Sequence, residues 1–293
     1  MERLVLTTEI APLHAICTTL DWPNLRELRL RGEPRTVGDL PLSIIAMFAH
    51  MSRLRILDLK LKLTKPEESP PRPIWPIRYK SEFPWQELQE LTVSFPANND
   101  LIYRKLPDTL RALTLQCFPH ITSKFRQHGA EGVSGPIQSS DWLRILRRCN
   151  LPLLRSLELE YRENDQDDEL LRHLGAAFPK LRQLKVRRYR REGVRMADVP
   201  VEHNARTLGS LPQPLDLSLY LDNVEAPDTR VVRGVHHDRE EDLAHKFQET
   251  LDGVADAVAR GLAGTATAVE TFALLIPENF DLGSFELGRS DIM

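Results

Sequence analysis

Leu154-Arg155-Ser156-Leu157-Glu158-Leu159 decides the fold, because the same phrase stands at six places in the chain. An apolar residue, two spacers, an apolar residue, one spacer and an apolar residue recur at Leu25 to Leu30, Leu54 to Leu59, Leu88 to Val93, Leu110 to Leu115, Leu154 to Leu159 and Leu181 to Val186. Every one of the eighteen anchors is Leu or Val. Several copies follow a proline step: Trp22-Pro23, Leu106-Pro107, Leu151-Pro152 and Phe178-Pro179. A looser copy from Val269 to Leu274 closes the series, and Leu4 with Leu6 reads as the remnant of one before it. The second and third anchors lie two residues apart and so share one face of a strand, while the first turns the corner into it. A single such strand buries too little to hold itself, so neighbours must stack into one parallel sheet with a continuous apolar interior. The expected fold class is α/β: an irregular solenoid with a parallel sheet on its concave face and helices and loops on its convex face.

Between the strands, apolar residues at three- and four-residue spacing predict helices over Leu40 to Met51, Asp141 to Cys149 and Asp168 to Phe178, with Ser140 and Asp167 as caps. The longest helical pattern, Arg239 to Gly261, carries Leu243, Phe247, Leu251, Val254 and Val258 as a core-facing stripe. First anchors are spaced 29, 34, 22, 44 and 27 residues apart. The surplus falls in insertions near 64–83 (proline-rich), 119–138 (glycine-containing) and 190–214 (polar), read as loops. Residues 1–276 form one repeat domain in this reading, and 277–293 a C-terminal tail.

The 293 residues hold 39 basic and 42 acidic side chains, a net charge of -3 that supplies no global attraction to nucleic acid or membrane. Cys17, Cys117 and Cys149 stand singly, an odd count without CxxC spacing, which points to a reducing, cytoplasmic or nuclear setting and to small buried apolar groups. No apolar run approaches a membrane span, and Glu9, Pro12 and His14 interrupt what would be a signal peptide.

The Leu154 to Leu159 phrase, introduced by Leu151-Pro152, resembles the leucine-rich-repeat region of F-box proteins, most of all the divergent sets of mushroom-forming fungi. The resemblance covers roughly residues 20 to 190. It implies a repeat array that serves as the substrate receptor of a ubiquitin ligase, with a protein partner and, given an F-box upstream, a cullin-type ligase adaptor. An F-box-like stretch, Asp39-Leu40-Pro41-Leu42-Ser43-Ile44-Ile45, falls between the first two repeats, where a convex helix is expected. The array starts almost at Met1, so no N-terminal F-box is expected within this chain. The asparagine that many leucine-rich repeats carry three residues after the last anchor is replaced by Glu33, Lys62, Pro96, Phe118, Arg162 and Tyr189, so regular curvature is not expected.

Side chains alternating with the anchors are assigned to the concave face. The candidate partner-binding set is Glu27, Arg29, Arg31, Asp58, Lys60, Glu90, Thr92, Thr114, Gln116, Glu158, Glu160, Lys185 and Arg187. Arginine follows the first anchor in five of six copies (Arg26, Arg55, Arg111, Arg155, Arg182), which reads as a solvated rim paired locally with carboxylates. The basic run Lys185 to Arg195 suggests phosphate binding with Tyr189 as a stacking platform. In-register strands would instead set Glu158 against Lys185 and Glu160 against Arg187, with Glu163, Asp165, Asp167 and Asp168 nearby, so neutralisation is expected and nucleic acid is not. His236, His237, Asp238 and His245 form the one metal-like cluster, but adjacent histidines point apart on a helix or a strand. Gly132-Val133-Ser134-Gly135 lacks nucleophile-elbow spacing, and P-loop, GxGxxG and HExxH patterns are missing. The expectation is a protein-binding module, not an enzyme, with no cofactor and no metal; the alternative is a stand-alone structural scaffold or a nucleic-acid-binding solenoid unrelated to ubiquitination.

Overall fold

The computed structural model describes residues 1–7, 22–32, 44–61, 73–117, 137–211, 215–222, 237–263, 265 and 269–275. The expectations for Cys17, for 39–43 of the F-box-like stretch, for most of the 119–138 insertion and for the 277–293 tail lie outside these residues. The described residues hold nine strands: β1 (Arg3–Thr7), β2 (Glu27–Gly32), β3 (Ile56–Leu61), β4 (Glu90–Ser94), β5 (Ala112–Gln116), β6 (Ser156–Arg162), β7 (Gln183–Tyr189), β8 (Leu215–Tyr220) and β9 (Val269–Leu274). They form one sheet in chain order, each strand parallel to the next. The helices are α1 (Ile44–Phe48), α2 (Ile102–Lys105), α3 (Ser139–Leu146), α4 (Asp167–Ala177), α5 (Val201–Gly209) and α6 (His237–Ala263).

The repeated phrase sets the register. Leu28, Leu57, Leu91, Leu113, Leu157, Leu184, Leu217 and Phe272 lie side by side on β2 to β9, as do the third anchors from Leu30 to Leu274. All eighteen anchors are at most 4 % exposed, so their face of the sheet is closed. Trp142, Leu143, Ile145 and Leu146 of α3 and Leu170, Leu171 and Leu174 of α4 join them in a single core. Each first anchor closes a β-turn by donating its N–H three residues back, as in Leu154 to the Leu151 carbonyl (3.2 Å) and Leu181 to Phe178 (3.1 Å). Pro23, Pro152 and Pro179 occupy the second turn position, whose φ proline already has. This accounts for three of the four proline steps; Pro107 stands at the first position of its turn, its carbonyl accepting the Leu110 N–H.

Several elements differ from the sequence expectations. The remnant at Leu4 and Leu6 is a full strand, paired with β2. β8 escapes the phrase because Pro214 stands where the first anchor belongs. Part of the first insertion is core: Trp75 is fully buried and Phe83 stacks on it at 5.9 Å, while just beyond the insertion the buried Trp85 donates its indole N–H to the Phe48 carbonyl at 3.0 Å. The Asp100 carboxylate pins this segment, accepting the backbone N–H of Ile74 (2.5 Å), Trp75 (2.9 Å) and Ile102 (2.9 Å). The polar segment 190–214 contains α5, which packs along α6. Ser140 and Asp167 lie in the first turns of α3 and α4 without side-chain caps. α6 runs through Gly261 instead of ending there: a Cβ at 261 would sit 2.5 Å from the Glu202 carbonyl oxygen, so glycine allows α5 and α6 to touch. No helix of the described residues is long and apolar enough to cross a membrane.

Candidate interaction face

Alternation leaves the other face of the sheet to the spacers, and the register arranges them in three rows. The first is Arg3, Glu27, Ile56, Glu90, Ala112, Ser156, Gln183, Asp216 and Thr271. The second is Val5, Arg29, Asp58, Thr92, Thr114, Glu158, Lys185, Ser218 and Ala273. The third, toward the strand ends, sets Arg31 beside Lys60, Ser94 beside Gln116, and Glu160 beside Arg187 and Tyr220. All thirteen candidate residues therefore share this face.

Three electrostatic zones follow. On β1 to β3, Glu27 accepts Arg3 (3.1 Å) and Arg29 (2.6 Å), and Asp58 lies 3.7 Å from Arg29 and 3.6 Å from Arg31. Burial holds the Asp58 carboxyl above its usual range against the pull of Lys60, Arg31 and Arg29. In the middle, Thr92 and Thr114 stand half-buried and uncharged beside each other. Next to them Ser94 and Gln116 are buried, and neither the Ser94 Oγ nor the Gln116 Oε1 has a hydrogen-bond partner among the described residues. On β6 and β7, Glu158 lies 3.2 Å from Lys185 and also contacts Arg187. Burial opposes its ionisation, but Lys185 and Arg187 outweigh that and keep the carboxyl below its usual range.

The structure corrects the candidate set at three positions. Asp58, Gln116 and Glu160 are 3 %, 5 % and 0 % exposed, so they support the face from beneath and cannot meet a partner directly. Glu160 lies in register with Arg187 as expected, yet its carboxylate accepts the Cys117 N–H (2.7 Å) and the Tyr189 hydroxyl (2.8 Å). Tyr189 is thus a buried hydrogen-bond donor instead of a stacking platform. Burial pushes Glu160 up to about 7 against the help of Cys117, Tyr189 and Arg187, with Glu158 adding to the rise. The native state therefore binds a proton that the unfolded chain releases near its ordinary value of 4.5, and stability declines as pH rises from about 4.5 to 7. Glu160→Gln copies the protonated carboxyl. It should remove this part of the pH dependence and stabilise the chain at pH 8 by about 2–3 kcal/mol, read from urea midpoints at pH 5 and 8. Equal midpoint shifts at both pH values would refute the assignment.

The basic run is neutralised residue by residue. Besides the Glu158 pairs, Arg188 contacts Glu163 and lies 2.8 Å from Asp167; Arg190 lies 3.5 Å from Asp222, Arg191 2.6 Å from Asp165, and Arg195 2.8 Å from Asp198. Such pairing spends the charge that a phosphate backbone would need. The arginine rim departs from its expectation. Arg55 pairs with Glu87 at 2.8 Å, but Arg26, Arg111, Arg155 and Arg182 make no ion pair with any described residue.

Other chemistry-bearing groups lie elsewhere. The described residues contain no group of three or more His, Cys, Asp or Glu that could hold a metal ion. Of the metal-like cluster, His236 and the side chains of His237 and Asp238 lie outside the described residues, and His245 is exposed 3.4 Å from Glu249. Cys117 is buried and Cys149 half-buried, and burial raises both thiols, Cys149 to about 12. In that state they are poor nucleophiles. Set against protein-family models and curated proteins, the chain matches none.

Proposed function

We propose that the chain is an irregular leucine-rich-repeat solenoid that acts by holding a protein partner on the uncovered face of its sheet, without catalysis or a cofactor. The observation that carries this reading is the asymmetry of the sheet: one face is closed by the second and third anchors in register with the first anchors buried beside them, while the other carries rows of polar and charged side chains, many of them half-buried or exposed, that no element covers among the described residues. Loops and helices can vary while such a sheet stays rigid, which suits a surface built for recognition. The likeness of the repeat phrase to fungal F-box proteins supports a substrate-receptor role in a ubiquitin ligase, in the cytoplasm or nucleus. Nucleic acid is the less favoured partner, given the paired basic run and the net charge of -3.

The test compares proteins co-purifying from native cells with the wild type and with Thr92→Arg/Thr114→Arg, which loads charge onto the middle of the face. The expected result is a partner depleted about tenfold or more by the variant, with the melting temperature retained. Enrichment of cullin adaptors with the wild type supports ligase recruitment. Identical partner sets for the two proteins would remove the face from consideration.

A further inference from the structure

We propose that the edge of the sheet where the strands begin is a second docking surface, at which Arg111, Arg155 and Arg182 take the carboxylates of an acidic protein segment. The three residues stand one per strand immediately before β5, β6 and β7, and all are exposed. Backbone hydrogen bonds fix them as direct neighbours: the Arg155 N–H donates to the Arg111 carbonyl and the Arg182 N–H to the Arg155 carbonyl, each at 2.8 Å. The same ladder runs back through Gln89 to Arg55 and Arg26. Adjacent strands lie about 4.8 Å apart, so the guanidiniums form a row with one positive charge per strand.

Folding does not explain the row. The fold pairs the bases from Lys185 to Arg195 with carboxylates, yet at this edge Arg111, Arg155 and Arg182 have no acidic partner among the described residues. The spacers that follow them, Ala112, Ser156 and Gln183, bring no carboxylate; Glu90 and Asp216 flank them in register at the two ends but form no ion pair with these arginines, and the exposed Lys180 stands two residues before Arg182. Like charges on neighbouring strands repel, so the row opposes stability and a bound anion would relieve it.

Chemistry selects the occupant. The planar guanidinium fork matches a carboxylate with two parallel hydrogen bonds, which a flexible ammonium does not. A nucleic-acid strand would want aromatic faces between its phosphates, and Ala112, Ser156 and Gln183 offer none. An acidic segment laid across the strands fits both the charge and the lack of stacking surface. This edge lies apart from the middle of the uncovered face, so either surface can fail its test while the other passes.

The full chain is titrated against a fluorescein-labelled oligoglutamate peptide by fluorescence anisotropy at low salt, with an oligothymidylate of similar charge in parallel. Binding of the peptide that weakens as salt rises, and falls about tenfold or more in Arg111→Gln/Arg155→Gln/Arg182→Gln, is the expected result. The melting temperature of that variant should be unchanged or higher, because repulsion is removed. Arg155→Gln alone, in the centre of the row, should lose several-fold, and Thr92→Arg/Thr114→Arg, which adds positive charge nearby, should bind the peptide at least as tightly as the wild type. Absence of peptide binding at low salt, equal binding by the triple variant, or tighter binding of the oligothymidylate overturns the proposal.

Discussion

Leu157→Asp should abolish cooperative folding, whereas Ser156→Asp, one residue earlier, should leave it nearly intact. Leu157 is 1 % exposed and lies between Leu113 and Leu184 in the middle of the sheet. Its loss forfeits about 1.5–3 kcal/mol of burial, and an ionised carboxylate in its place adds several kcal/mol more because the surrounding leucines offer it no partner. The sum reaches the whole stability of a typical domain, about 5–15 kcal/mol. Because within the sheet each strand pairs only with its two neighbours, damage at β6 separates β1 to β5 from β7 to β9 instead of staying local. Ser156 points to the uncovered face and is half-buried, so an aspartate there should cost about 0.5 kcal/mol or less. Circular dichroism during urea unfolding distinguishes the pair. Comparable losses at 156 and 157 would mean that the two side chains do not alternate, and the register would fall with that result.

That alternation was legible in the sequence because a period of two is the direct imprint of a half-buried strand, and six repetitions made it unmistakable. The in-register facing of Glu158 with Lys185 and of Glu160 with Arg187 followed from the same alignment. What escaped did so for identifiable reasons. β8 carries Leu217 and Leu219 at the right places but a proline at the first anchor, so a search for the full phrase passes over it. Helix α5 was hidden in a polar stretch, although Val201, Ala205 and Leu208 recur at helical spacing. Trp75 lay in a segment whose prolines advertised a loop and Trp85 just beyond it, yet two indoles so close in sequence needed somewhere to be buried. Periodicity assigns a residue to a face but says nothing of depth. Glu160 shares a face with Glu158, and only the packing of Cys117 and Tyr189 around it makes one carboxylate buried and the other a surface partner for two bases. Pairing among the rim arginines is likewise a matter of which side chains reach, and among the described residues the local carboxylate that the sequence suggested is delivered to Arg55 alone.

Arg188→Met should cost about 3–5 kcal/mol, the second largest effect among these variants, and the loss should shrink in acid. Arg188 is 4 % exposed and holds two carboxylates at once, Glu163 and Asp167, on the far side of the strand from the open rows. Removing its charge leaves Asp167 7 % exposed with Tyr161 and Asp168 as neighbours, and only His203 and Arg191, neither of them in an ion pair with it, remain to favour its ionised form. Even in the wild type, burial raises the Asp167 carboxyl from 3.8 to about 6, with Asp168 adding to the rise and Tyr161, His203 and Arg191 opposing it. A folded-state pKa above the unfolded one means that the native state binds the extra proton, so the group lowers stability as pH climbs from about 4 to 6. Without Arg188 the ionised form is less favoured still, and that window moves upward. Urea midpoints for Arg188→Met should therefore approach the wild type near pH 5 and fall furthest behind it near pH 8. Adding Asp167→Asn to Arg188→Met should restore much of the pH 8 stability, because the neutral amide no longer needs the cation. A pH-independent deficit that Asp167→Asn fails to repair would assign the role of Arg188 to the packing of its stem instead of its charge.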